Sequence, residues 1–66
     1  MSQVYDMRLR IEEKIKADGL NVLETKGKLA LKTGKMLALI TPTTPDDPDL
    51  VSKLRDAAKE VLNLSL

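Results

Sequence analysis

Lys26, Lys28, Lys32 and Lys35 follow one another with no acidic residue between them, and Asp46, Asp47 and Asp49 follow with no basic one. A lysine arc can neutralise phosphates, which asks only for positive charge at suitable spacing, so these four residues are candidate contacts for an anion or nucleic acid. Gly27-Lys28 and Gly34-Lys35 also invite comparison with phosphate-binding loops. Such a loop needs Gly-x-x-x-x-Gly-Lys followed by Ser or Thr, whereas Lys28 is followed by Leu29 and Lys35 by Met36. Readers of single strands add aromatic stacking platforms, and the lysine region has no aromatic residue. Exposed lysines also discourage edge-to-edge strand pairing, which is the structural reading of the same cluster.

The aspartates suggest a loop for a hard cation. Calcium loops, however, space their ligands around a turn glycine and close with a bidentate Glu, and neither follows here. Helix capping, with acids at the positive end of the helix dipole, accounts for them more simply. The chain has no His and no Cys, so the common zinc sites and thiol chemistry are closed to it. Its serines are Ser2, Ser52 and Ser65, and general acid or base work would fall to Glu24 if that carboxylate faced the core. The expectation is therefore no enzyme and no cofactor.

These residues need a scaffold, and 66 residues provide one domain with one core, burying about 60% of the surface that the unfolded chain exposes. Without disulfide or zinc, the usual remaining source of stability is another subunit. No signal-like opening is present, and the longest apolar run, Met36 to Ile40, is far short of the ~20 residues of a spanning helix. A soluble cytoplasmic protein is expected. Residues 1 to 35 carry eight Lys or Arg against five Asp or Glu (+3), and residues 36 to 66 carry three against five (−2).

Val4, Met7, Ile11 and Ile15 recur at helical spacing, so a helix is predicted over residues 2–18, with Ser2 as N-cap and Gly19 beyond its end. A near-repeat follows, Lys26-Gly27-Lys28-Leu29-Ala30-Leu31 and Gly34-Lys35-Met36-Leu37-Ala38-Leu39. It predicts strands over 20–25, 28–33 and 36–40, with turns at the two glycines. A two-residue loop at Lys26-Gly27 pairs Val22 with Leu31, a three-residue loop shifts one strand to the other face, and the sequence leaves both open. The third strand is apolar on both sides. A Pro-rich connector spans 41–47, and a helix over 48–63 starts at Asp47-Pro48, with Thr44-Pro45 as the alternative start.

The predicted fold is a small single α+β domain, α-β-β-β-α, with an antiparallel three-stranded meander flanked by two helices. The predicted function is a small homodimeric protein-interaction or accessory and regulatory module, with Met36, Ala38 and Ile40 as the candidate dimer interface. The alternative is a nucleic-acid-binding protein using a lysine-rich hairpin.

Overall fold

The first helix begins where the sequence places it. In the computed structural model, which describes residues 2–66, α1 runs over Gln3–Ala17 and Ser2 is its N-cap, the Ser2 hydroxyl accepting from the Tyr5 N–H at 3.3 Å. Its end is a Schellman turn: Gly19 takes a φ of 66°, its N–H donates to Lys16, and the Leu20 N–H donates to Ile15. Val4, Met7, Ile11 and Ile15 are all buried along one face.

Where strands are expected, the chain makes a second helix. α2 spans Val22–Thr33, with Asn21 accepting from the Glu24 N–H at its start and Gly34 closing it in the left-handed conformation, φ 75°. A short 3-10 turn, Leu37–Leu39, follows, and α3 spans Pro48–Leu62. No β-strand occurs among the described residues, so the α+β fold and its meander are replaced by a three-helix domain. Gly27, taken as a hairpin turn, sits in the middle of α2 without a positive φ.

The physical reason lies in composition. Leu, Ala, Lys and Glu dominate residues 23–32, all strong helix formers, and the loop chemistry at Asn21 and Gly34 supplies a start and a stop. The helical period is hidden because the core-facing row, Thr25, Leu29 and Thr33, contains one apolar residue and two threonines. Leu31 lies outside that row, so Leu29-Ala30-Leu31 imitates the alternation of a strand. The apolar run 36–40 also behaves differently from a strand: Leu37 and Ile40 are buried three residues apart, while Met36, Ala38 and Leu39 are exposed.

The core is assembled from Val4, Met7, Ile11 and Ile15 of α1, Leu29 of α2, Leu37 and Ile40 of the turn, and Leu54, Ala57, Ala58 and Leu62 of α3. α3 packs on both other helices, its two buried alanines allowing close approach. It starts as predicted, with Asp47 accepting from the Asp49 N–H and Pro48 in the first turn, and ends at Asn63 in the left-handed region. The radius of gyration, 10.6 Å, is that of a folded monomer of this length, for which scaling gives about 11 Å.

Leu29 is the sole hydrophobic anchor of α2 in this core. Leu29→Ala is expected to lower the unfolding free energy by about 2–5 kcal/mol in chemical denaturation. A loss below about 1 kcal/mol would contradict the packing. Ile40→Glu, which inserts a charge into the core, is expected to unfold the chain rather than to separate two folded subunits.

Candidate interaction surface

Three of the four clustered lysines are engaged within the domain. Lys26 donates to Glu12 of α1 at 2.8 Å, Lys32 lies 2.8 Å from Glu60 of α3, and Lys28 lies 3.9 Å from Glu24 one turn back. Lys26 and Lys32 stand on either side of the core-facing row and tie α2 to its two neighbours. Lys35, past the helix end, makes no ion pair among the described residues. Lys28 and Lys32 stand one turn apart on one side of α2 and Lys26 on the other, so the four do not form a single row. Glu24, the candidate buried carboxylate, is exposed.

Glu12 is a junction rather than an acid poised for chemistry. Arg8 donates to it at 3.2 Å and reaches the Ile40 carbonyl at 2.6 Å, so one chain of polar contacts joins α1, α2 and the turn. Partial burial pulls the Glu12 pKa upward, but the bonds from Lys26 and Arg8 outweigh it and leave it below the ordinary value. Asp46 plays a similar part at the start of α1. Its carboxylate accepts from the N–H groups of Val4 at 3.0 Å and Gln3 at 3.1 Å, and these bonds hold its pKa below the ordinary value. Sequence reasoning placed Asp46 near the start of α3, not on α1; no local signal joins residues 42 apart.

An open cleft of about 370 Å³ lies between the end of α2 and the start of α3, with Lys35, Thr33 and Thr44 on one side and Asp49 and Lys53 on the other. Lys53 is paired with Asp49 at 3.0 Å, and the Thr33 hydroxyl donates to the Leu29 carbonyl at 2.8 Å. Thr33, Asp49 and Lys53 of this cleft are thus partnered, and among the described residues no side-chain polar atom is buried without a partner.

The outer face of α2 is different. Each residue advances about 100° around a helix, so the row Leu23, Gly27, Leu31 lies nearly opposite the core-facing row Thr25, Leu29, Thr33. Leu23 is 85% exposed and Leu31 88%. The helix therefore presents two of its three leucines to solvent and both of its threonines to the core. Met36 and Leu39, beyond its C-terminal end, are also exposed, at 60% and 61%. Of the residues expected at an interface, Met36 and Ala38 are thus on the surface while Ile40 is in the core. Leu23 and Leu31 do not stand out in the sequence, because a strand reading over 20–25 and 28–33 hides the outer row of a helix.

No group of three or more potential metal ligands occurs among the described residues, and no described helix is long and apolar enough to cross a membrane. No family model matches the chain, and neither a curated protein nor a solved structure does.

The two lowered carboxyl groups give the fold a defined acid limb. Each holds its proton less tightly in the folded chain than in the unfolded one. Their stabilising contribution is therefore complete above the ordinary values, 3.8 for Asp46 and 4.5 for Glu12, and is lost as pH falls through the lower folded values. Urea unfolding followed across this range is expected to show a shallower acid limb in Asp46→Asn, with lower stability at neutral pH. An acid limb identical to that of the unaltered chain would contradict the capping role.

Proposed function

We propose that this chain is a small accessory module without catalytic activity of its own, which works by docking the outer face of α2 onto a protein partner. The observation that carries the proposal is the placement of Leu23 and Leu31 on the side of α2 opposite the core, while Thr25 and Thr33 occupy the core side. Scattered surface leucines are ordinary, but a helix whose outer row is more apolar than its inner row has a second surface to cover. The exposed Met36 and Leu39 extend the apolar character of this region.

Two further observations support the proposal. The shifted carboxylates, Glu12 and Asp46, are held ionised by bonds that join helices, the opposite of the raised value that suits a general acid. Lys26 and Lys32 are paired with other helices at 2.8 Å, leaving only Lys28, in a long exposed pair, and Lys35 for an anion, which weakens the case for nucleic acid. The proposed setting is the cytoplasm, where a chain without cysteine forgoes no disulfide.

A photoreactive residue in place of Leu31, with the same residue in place of exposed Arg55 as control, tests the proposal in cells. Covalent protein adducts are expected from position 31 and not from position 55, and Leu23→Glu is expected to remove them while changing stability by no more than about 0.5 kcal/mol. Equal labelling from both positions, or none from position 31, would contradict it.

A further inference from the structure

Resting on that docking role, we propose that the partner of the α2 outer face is the same face of a second copy, in an antiparallel pair whose two-fold axis passes beside Gly27. Three features of α2 meet in this arrangement. A two-fold axis at Gly27 sets Leu23 opposite Leu31 of the partner subunit, and Leu31 opposite the partner's Leu23, because the two leucines stand four residues to either side of the glycine.

Gly27 itself has no explanation within the monomer. It lies in the middle of a helix, has no positive φ, and a Cβ added there would meet nothing within 4 Å. Glycine at such a position weakens a helix by about 1 kcal/mol relative to alanine. A second backbone crossing close at that point is what a missing Cβ accommodates.

The charges beside the row complete the fit. Glu24 and Lys28 occupy one edge of the outer face, and their 3.9 Å pair is largely solvent-exposed, so both side chains can reach across to another chain. In an antiparallel pair like edges meet, so Glu24 faces Lys28 of the partner subunit and Lys28 faces the partner's Glu24. The two Lys28 residues also approach each other beside the axis, so this edge carries two attractions against one repulsion. A parallel pair would instead turn that edge toward the one carrying Lys26, which lies two residues from both Glu24 and Lys28, so attractions and repulsions would balance. The seam is about 18 Å long, the length of a 12-residue helix, which makes the dimer a weak, concentration-dependent one.

Sedimentation equilibrium of the full chain across micromolar to millimolar concentration tests the pairing. The unaltered protein is expected to approach twice its 7.3 kDa mass. Gly27→Ala is expected to melt at higher temperature yet dissociate at least about tenfold more readily, two effects that a purely structural glycine would not separate. Glu24→Lys and Lys28→Glu are each expected to weaken the dimer about fivefold, and the double exchange to restore it. A chain that stays at 7.3 kDa throughout overturns the self-pairing, while adducts to another protein from position 31 would still uphold the docking role. A dimer indifferent to Gly27→Ala and to the charge exchange overturns the antiparallel seam.

Discussion

The carboxylate of Asp46 closes the domain. The first amides of any helix lack partners within it, and those of α1 are met from a loop 42 residues further along the chain, where Asp46 accepts from Val4 and Gln3. Ser2 adds a second tie by donating to the Thr44 carbonyl at 2.8 Å. The next residue, Asp47, caps α3, so the loop that holds the start of α1 also sets the start of α3. The relative placement of the two helices that supply most of the core depends on this junction.

α2 is held in a different way. It gives the core one large apolar side chain, Leu29, and is fastened on its two sides by Lys26 to Glu12 and Lys32 to Glu60. Ion pairs near the surface contribute little stability compared with core packing, so its seat depends chiefly on Leu29 and on the fit of buried Thr25 and Thr33. Such a helix is weakly amphipathic toward its own core, and Leu23, Leu31 and the central Gly27 are free for another surface. The helix that gives the core a single large apolar side chain thus also carries an apolar outer row.

The ends of the chain were legible because their chemistry is local. Ser2, Gly19 and Asp47-Pro48 mark helix boundaries through bonds within a few residues, and the apolar rows of α1 and α3 keep a clear helical period. The middle was not legible for the reason that makes it interesting. With Thr25 and Thr33 inward and Leu31 outward, hydrophobicity no longer reports burial, and the leucines of two opposite faces read together as the alternation of a strand. Glycine added to the error, since Gly34 does end an element in the left-handed conformation whereas Gly27 only interrupts a helix. The Asp46 bonds were hidden for another reason: nothing in a local window joins a proline-rich connector to the first turn of α1.

The most direct measurement is an isotope-filtered nuclear Overhauser experiment on an equal mixture of labelled and unlabelled chain at millimolar concentration. Cross-peaks between Leu23 methyls of one copy and Leu31 methyls of the other are expected, since the two sit on opposite sides of Gly27 in the antiparallel seam. Their absence, with both leucines remaining solvent-exposed in the same sample, would contradict it.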